Sequence, residues 1–189
     1  MNLPLHLFLT GPMGCGKSTA IAAALGAALP RCGGFLTTRQ RDAQGHATSF
    51  FLQSPDGQRR EKIIDCASSP VQIDRDVFET LGVELLRQAQ PAPFVVLDEI
   101  GGFELLCPGF SRALEELLSS DVPCIGVMKG AGPANAMIRR LGLAEEYRLR
   151  ADALRERMKN DPNTLLYECA PFDPQAIVLA RAWADIYVG

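Results

Sequence analysis

The fold of this chain is decided by one stretch of sequence, Gly11-Pro12-Met13-Gly14-Cys15-Gly16-Lys17-Ser18-Thr19. It matches the pattern G-x-x-x-x-G-K-[ST] in full, directly after the strand-like residues 5–9 and at the start of the helix-like residues 18–29. Glycines let a backbone curl so that consecutive N–H groups face one concavity, and the helix that follows adds the positive partial charge of its N-terminus. The stretch therefore predicts a P-loop that binds nucleotide phosphates, against the alternative of a chance glycine-rich turn.

Two side chains of this loop have distinct predicted roles. Lys17 supplies a mobile cation for the β- and γ-phosphates, and the Ser18 hydroxyl can bind Mg²⁺. The nucleotide is expected to contact the whole loop: Gly11, Pro12, Met13, Gly14, Cys15, Gly16, Lys17, Ser18 and Thr19.

A second motif ends another apolar, strand-like run, in residues 94–99 (Phe-Val-Val-Leu-Asp-Glu). Open α/β sheets bind ligands at the carboxyl ends of their strands. Asp98 is therefore predicted to hold Mg²⁺ opposite Ser18, and Glu99 to orient or deprotonate a water in line with the γ-phosphate. A solvated or capping acidic pair is the alternative. The Asp-Glu pair favours hydrolysis, because transfer to a small-molecule acceptor has no need of a carboxylate over water.

The rest of the chain alternates short apolar runs with longer helix-like segments, which is typical of an α/β sheet covered on both faces. Residues 35–66 differ, since β-rich pieces separated by turn residues indicate antiparallel hairpins. We therefore predict a P-loop NTPase fold: an α/β three-layer sandwich with a mostly parallel central sheet and an antiparallel hairpin insertion. Residues 1–189 are expected to form a single domain, because about 150 residues per domain leaves no room for two.

The composition excludes several classes of protein. With 189 residues, 47% hydrophobic and 22% charged, the chain resembles ordinary globular proteins rather than disordered or fibrous ones. A net charge of −3 argues against a nucleic-acid partner. No run approaches the roughly 18 apolar residues of a membrane span, and no signal peptide is recognisable. Six scattered cysteines without metal-site spacing indicate reduced thiols and a cytoplasmic location.

The chain also resembles a known family, the cancer-related nucleoside-triphosphatases, or thermophilic NTPase group, of P-loop proteins. The likeness lies in three blocks: residues 11–19, Gly-Gly-Phe-Leu-Thr-Thr-Arg at 33–39, and Leu-Asp-Glu-Ile-Gly at 97–101 followed by Phe-Glu-Leu at 103–105. Their order and spacing are similar to the family pattern over residues 5–130. The resemblance implies Mg²⁺-dependent hydrolysis of ATP, GTP and other nucleoside triphosphates, with broad base preference and modest turnover.

The chain departs from that family pattern in two places. Many members follow the Gly-Phe-x-Thr segment with an acidic residue and then Arg, whereas Thr38-Arg39-Gln40-Arg41 stands here. Members also often carry Asn-Arg-Asp after the last strand, and of these only Asp173 is present in this chain.

Two basic segments have more than one interpretation. Arg39 and Arg41 could stabilise charge on the γ-phosphate, or they could form a solvated hairpin edge. Residues 139–159 hold seven basic and four acidic side chains. They could form a lid that closes an arginine over the phosphates, or a solvated helix pair joined by Glu146 and Arg150 at i,i+4. RNA binding is the third interpretation, although no aromatic residues alternate with the basic ones.

Three functions remain open from the sequence. The first, which we favour, is Mg²⁺-dependent hydrolysis of nucleoside triphosphates, with Lys17, Glu99 and Arg39 as catalytic residues and Ser18 and Asp98 as metal ligands. The second is a nucleotide or small-molecule kinase, which would place an acceptor where the water lies. The third is a nucleotide-gated switch whose protein partner supplies an arginine finger. Neither the oligomeric state nor the preferred base follows from the sequence.

Overall fold

The computed structural model describes residues 3–89, 92–132 and 145–188. Its strands form a single eight-stranded sheet in the order β5-β4-β3-β2-β6-β7-β1-β8. The strands are β1 (His6–Thr10), β2 (Gly33–Arg41), β3 (Ala47–Gln53), β4 (Arg60–Asp65), β5 (Gln72–Ile73), β6 (Val95–Ile100), β7 (Cys124–Met128) and β8 (Thr164–Glu168). The helices are α1 (Lys17–Leu25), α2 (Val83–Gln88), α3 (Pro108–Leu118), α4 (Glu145–Asn160) and α5 (Pro174–Tyr187).

The sheet is parallel in its centre and antiparallel at one end. Strands β2, β6, β7, β1 and β8 are mutually parallel, whereas β2, β3, β4 and β5 are joined as antiparallel neighbours. All five residues of β1 and of β7 are buried, as expected for strands covered on both faces. The predicted mostly parallel sheet with a hairpin insertion is confirmed.

Helices cover both faces of this sheet and so form the other two layers. On one face, α1 packs on α5, and a core forms around Phe94 and Trp183, whose rings lie 6.2 Å apart in an edge-to-face arrangement. On the other face, α2, α3 and α4 cover a core around Phe35, Phe78 and Phe110. The predicted three-layer sandwich is therefore confirmed.

Strand β1 is completed by segments from the far end of the chain. It pairs with β7 on one side and β8 on the other. The indole N–H of Trp183 in α5 donates to the carbonyl of Leu5 at 3.1 Å, and the Tyr187 hydroxyl donates to the carbonyl of Leu3 at 3.2 Å. The strand that leads into the P-loop thus depends on the last residues of the sequence.

Two predicted helices differ in detail from the observed ones. The helix expected over residues 18–29 ends at Leu25, because Gly26 takes a positive φ of 49° and a 3₁₀ turn with Pro30 follows. The spacing of apolar residues over 76–90 predicts one helix. The structure instead has a π-helical turn, Phe78–Gly82, followed by α2. A Cβ at Gly82 would lie 2.8 Å from the ring of Phe110, so glycine permits close packing there.

Other differences are smaller. Strand β5 has only two residues, too few to produce an alternating pattern, and sequence reasoning missed it. The sequence pattern of residues 134–159 predicts a helical segment with a break at Gly142. The helix is observed from Glu145 onward, and Gly142 lies outside the described residues. Within the described ranges, none of the helices combines the length and the apolar character that crossing a bilayer requires.

Candidate functional site

The loop between β1 and α1 has the backbone of an anion-binding concavity. Gly11, Gly14 and Gly16 adopt φ values of 124°, 80° and 94°, a region that L side chains rarely occupy. A Cβ at Gly11 would also lie 2.5 Å from the carbonyl oxygen of Cys169, next to β8. The glycines that the motif predicted are therefore needed for backbone conformation, and Gly11 for packing as well.

Lys17 begins α1 and points back into this loop. Its side chain is buried, and its ammonium donates to the carbonyls of Pro12 at 2.6 Å and Gly11 at 3.2 Å. The Sγ atom of Cys15 lies 3.3 Å from the same nitrogen. The cation is thus held at the centre of the loop, where N–H groups and the start of a helix already favour negative charge.

Ser18 and Asp98 approach each other across the edge of the sheet. The Ser18 hydroxyl donates to Oδ1 of Asp98 at 3.1 Å, although the two residues are 80 positions apart. Burial raises the pKa of Asp98 to about 6, and the Glu99 charge adds to this, whereas the Ser18 hydrogen bond, Lys17 and Arg39 oppose it. A hydroxyl and a carboxylate at this spacing are hard oxygen donors of the type that Mg²⁺ prefers.

These two residues fit Mg²⁺ better than a metal bound by protein ligands alone. Among the described residues, no group of three or more His, Cys, Asp or Glu side chains is arranged to hold an ion. Mg²⁺ in nucleotide sites is usually bound by one or two protein oxygens together with phosphates and waters. Ser18 and Asp98 match that pattern.

The raised pKa of Asp98 gives a testable prediction about stability. The pKa of Asp98 is higher in the folded protein than in the unfolded chain, so the folded state favours the protonated carboxyl. This stabilising contribution is complete below the unfolded pKa and is lost as the pH rises through about 6. Asp98→Asn should therefore increase the free energy of unfolding at pH 7.5 by about 1–2 kcal/mol, and by much less at pH 4.5. Urea unfolding of both metal-free proteins at the two pH values measures this. Equal stability of parent and variant at pH 7.5 would show that the Asp98 charge carries no cost.

Glu99 follows Asp98 and is held by a lysine from the neighbouring strand. The ammonium of Lys129, which comes directly after β7, lies 2.6 Å from Oε1 of Glu99. Lys129 is only 8% exposed, whereas the Glu99 side chain keeps contact with solvent at 35%. The contact fixes one carboxylate oxygen and leaves the other available.

A third carboxylate, Glu104, is buried beside this pair. Glu104 lies in the short 3₁₀ turn Phe103–Leu106 that follows β6. Its Oε1 accepts a hydrogen bond from the Gly102 N–H at 2.6 Å. Burial raises the pKa of Glu104, against the opposing charge of Lys129. In the sequence, Glu104 was noted only as part of the Phe-Glu-Leu segment that resembles the family, and no role was predicted for it. Lys129 was not predicted at all. The only available signal for Lys129 was its position directly after a buried strand, like that of Asp98.

Comparison with known proteins agrees with this geometry. A family model described as NTPase matches residues 6–158. The chain belongs to the NTPase family. The human cancer-related nucleoside-triphosphatase is 31% identical, over 78% of this chain and 84% of that protein. Nucleoside-triphosphatase THEP1 of Methanosarcina acetivorans is 29% identical, over 66% of this chain and 75% of that protein. The family resemblance inferred from the three sequence blocks is confirmed.

Solved structures of the NTPase family share the fold. The crystal structure of THEP1 from Aquifex aeolicus superposes with a TM-score of 0.67, covering 96% of this chain and 98% of that one at 17% identity. The solution structure of a human cancer-related nucleoside triphosphatase gives a TM-score of 0.53, covering 82% and 98% at 25% identity. This NTPase is accordingly a P-loop hydrolase of the nucleoside-triphosphatase class.

The two arginines of the hairpin have different positions in this NTPase. Arg39 lines the cavity above the P-loop. It lies close enough to Asp98 for its positive charge to oppose the burial that raises the pKa of the Asp98 carboxyl. Arg41 instead donates to the carbonyl of Gly45 within its own hairpin turn. Of the two candidates, only Arg39 is near the phosphate-binding loop.

Helix α4 carries the basic residues for which a lid was one interpretation. Arg150 pairs with Glu146 at 2.7 Å, which confirms the i,i+4 contact, and further ion pairs join residues within the same helix: Glu145–Arg148, Asp152–Arg155 and Glu156–Lys159. These contacts are the ones expected of the solvated helix, and a lid over the phosphates stays a prediction. Arg139 and Arg140 lie outside the described residues.

The same helix is also tied to the loops that form the site. The Tyr147 hydroxyl donates to the carbonyl of Gly101 at 2.9 Å. Guanidinium groups of Arg155 and Arg150 donate to the carbonyls of Lys129 at 3.0 Å and Leu105 at 2.7 Å. Helix α4 thereby positions the backbone on both sides of the Glu99–Lys129 pair.

A single cavity of about 380 Å³ joins these groups. The P-loop, Asp98, Glu99 and Lys129 line its polar end, and Arg39 lines its wall. Its other end is apolar and lies under the hairpin strands, where Phe50, Ile63 and Phe78 contribute side chains. No motif or spacing in the sequence indicated this second end.

Proposed function

We propose that this chain hydrolyses nucleoside triphosphates to diphosphate and phosphate in a Mg²⁺-dependent reaction. The observation that carries the proposal is the Ser18–Asp98 contact at 3.1 Å, which brings the start of α1 and the end of β6 to one edge. Lys17 and Glu99 line the same cavity. Phosphoryl transfer needs mainly positioning and neutralisation of charge, and these residues can supply both.

The P-loop residues bind the substrate in this proposal. Backbone N–H groups of residues 11–19, except Pro12, and the Lys17 ammonium hold the β- and γ-phosphates, and Lys17 exchanges its carbonyl partners for phosphate oxygens. Ser18 and Asp98 hold Mg²⁺, which neutralises charge on the phosphate oxygens when it is bound. Asp98 must be ionised for this role, so its raised pKa makes metal binding weaker below about pH 6.

Glu99 acts on the attacking water. Its free carboxylate oxygen accepts a hydrogen bond from the water and takes its proton, while the water oxygen bonds to the γ-phosphorus and the bond to the β-phosphate oxygen breaks. Lys129 holds the other oxygen of Glu99 and so fixes the position of the carboxylate. Arg39 stabilises charge on the γ-phosphate, as the arginine within reach of the cavity.

Broad base preference is part of the proposal, because the contacts assigned so far involve phosphates alone. A cytoplasmic location and a single domain over residues 1–189 stay predictions from the sequence. A nucleotide-gated switch would differ in needing a partner for turnover, whereas the present site has a water-positioning carboxylate and an arginine of its own.

Phosphate release from ATP, GTP, CTP and UTP tests the proposal directly. We expect release from all four with MgCl₂, with rates that differ by less than about tenfold, and none in excess EDTA. Enzyme concentrations must be high, because P-loop hydrolysis without an external arginine finger is slow. Tight nucleotide binding without release from any of the four would contradict hydrolysis as the activity, and equal release in EDTA would contradict the Mg²⁺ requirement.

A further inference from the structure

The apolar end of the cavity has a lining that hydrolysis does not need. It is formed by Phe50, Ile63, Ile64, Cys66, Phe78 and Phe103. Two of these rings, Phe78 and Phe103, pack edge to face with centroids 5.3 Å apart, so they form a continuous aromatic wall. A water molecule gains nothing from aromatic and branched aliphatic side chains, whereas an apolar ring would be bound by them.

This apolar end lies beyond the proposed position of the γ-phosphate. Along the sheet, the order runs from β1 with the P-loop, through β7 and β6 with Lys129 and Glu99, to β2, β3 and β4. Phe50 is on β3, and Ile63 and Ile64 are on β4. In the proposed function, Glu99 faces the γ-phosphate. The nucleoside, at the opposite end of the triphosphate, then lies away from the apolar end of the cavity. A molecule at the apolar end would therefore approach the γ-phosphorus from the side of the attacking water.

The charged groups at the junction between the two ends favour a neutral ligand. The ammonium of Lys129 is already engaged by Glu99 at 2.6 Å and lies beside the buried carboxyl of Glu104. An anionic ligand would meet two carboxyl groups there, while Lys129 is already paired and Arg39, on the cavity wall, is assigned to the γ-phosphate. A hydroxyl group can instead donate to the free oxygen of Glu99, as the proposed water does, so the Asp98-Glu99 pair that favoured hydrolysis on sequence grounds serves either acceptor.

We propose that the apolar end binds a second substrate, a neutral alcohol with a ring-sized apolar body, and that its hydroxyl accepts the γ-phosphoryl group. This inference rests on the proposed function, because it uses the same γ-phosphate and the same Glu99. The alcohol oxygen bonds to the γ-phosphorus, the bond to the β-phosphate oxygen breaks, and the hydroxyl proton passes to the Glu99 carboxylate. The products are a nucleoside diphosphate, a phosphate monoester and a proton.

Partition of the phosphoryl group between water and added alcohols tests this second substrate. Parent protein with Mg·ATP is incubated with benzyl alcohol or with methanol at equal molarity, and ³¹P NMR measures the ratio of phosphate ester to free phosphate. We expect a ratio at least about tenfold higher with benzyl alcohol, because burying its ring in the apolar end favours its binding. Methanol has the same reacting group without the ring.

Three variants assign the preference to this end of the cavity. Cys66→Phe fills it and should abolish the advantage of benzyl alcohol, and Phe50→Ala removes one wall and should reduce the advantage severalfold. The matched control is Phe51→Ala on the same strand, since Phe51 does not line the cavity and its ring contacts the Arg60 guanidinium, 3.7 Å from the ring centroid. The ester-to-phosphate ratio is measured within each sample, so it does not depend on how much active protein a variant yields.

Several results would overturn the inference. These are equal ratios for the two alcohols, the absence of any ester, and identical ratios for Phe50→Ala and Phe51→Ala. Phosphate release without alcohol separates this failure from that of the proposed function. Release with no preference for benzyl alcohol removes only the second substrate, whereas no transfer to water or alcohol removes both.

Discussion

Replacing Lys17 with alanine is expected to lower phosphate release from ATP by at least about a hundredfold. The loss of one preorganised donor at a site of developing charge typically costs a factor of about 10²–10³ in rate. Lys17 is also a full positive charge at the centre of the loop, 2.6 Å from the carbonyl oxygen of Pro12. Nucleotide affinity should fall with turnover, because the same cation binds the ground state. Steady-state phosphate release and titration with a fluorescent nucleotide measure the two effects.

A matched control for this variant is Lys159→Ala. Lys159 is exposed and pairs with Glu156 at 3.0 Å on α4, so its removal should change turnover by less than about twofold. Circular dichroism establishes that both variants are folded, which is necessary because Lys17 is buried. If Lys17→Ala releases phosphate within about threefold of the parent rate, the phosphates are not held where the loop indicates.

Glu99→Gln is expected to separate binding from hydrolysis. The amide has the size of the carboxylate, and its oxygen can accept from Lys129 as Glu99 does at 2.6 Å. It cannot take a proton from water, and removal of a general base typically costs about 10²–10⁴-fold in rate. We expect phosphate release to fall by at least about a hundredfold, while the dissociation constant for Mg·ATP changes by less than about threefold. Single-turnover release and equilibrium binding give the two numbers.

The control for Glu99→Gln is the same substitution at Glu84, an exposed carboxylate that pairs with Arg59 on the surface. Glu84→Gln should retain parental binding and turnover. Hydrolysis by Glu99→Gln at the parental rate would refute the water-positioning role. Loss of nucleotide binding together with hydrolysis would show that the Glu99–Lys129 contact maintains the loop instead.

The fold and the centre of the site could be predicted because their signals are local in sequence. A P-loop is specified by consecutive residues, and the Asp98-Glu99 pair follows one apolar strand, so both are readable without knowing the partners of that strand. The Ser18–Asp98 contact then follows from the rule that parallel strands end at one edge. Helix ends were less accurate: the glycine stop at Gly26 is a local signal that the prediction over 18–29 passed over, whereas the π-helical turn depends on the packing of Gly82 against Phe110.

Other parts of the site could not be predicted, because they arise from contacts between distant segments. In the sequence, Lys129 is a single lysine that follows a strand and has no motif around it. Its contact with Glu99 arises because β7 lies next to β6. Glu104 is buried where α4 packs against the 3₁₀ turn that contains it. The apolar end of the cavity forms where a hairpin meets the π-helical turn, and no spacing within either segment reports that meeting.

The pairing of β1 has a consequence for how the protein is made. This strand leads into the P-loop, yet its neighbours β7 and β8 and the hydrogen bond from Trp183 are all encoded much later. A nascent chain leaves the ribosome from its N-terminus, at about 5–20 residues per second. The phosphate-binding loop is therefore translated before the strands that support it. Nucleotide binding during synthesis should begin only once residues beyond 183 have emerged, so ligand stabilises chains that include α5 and not shorter ones.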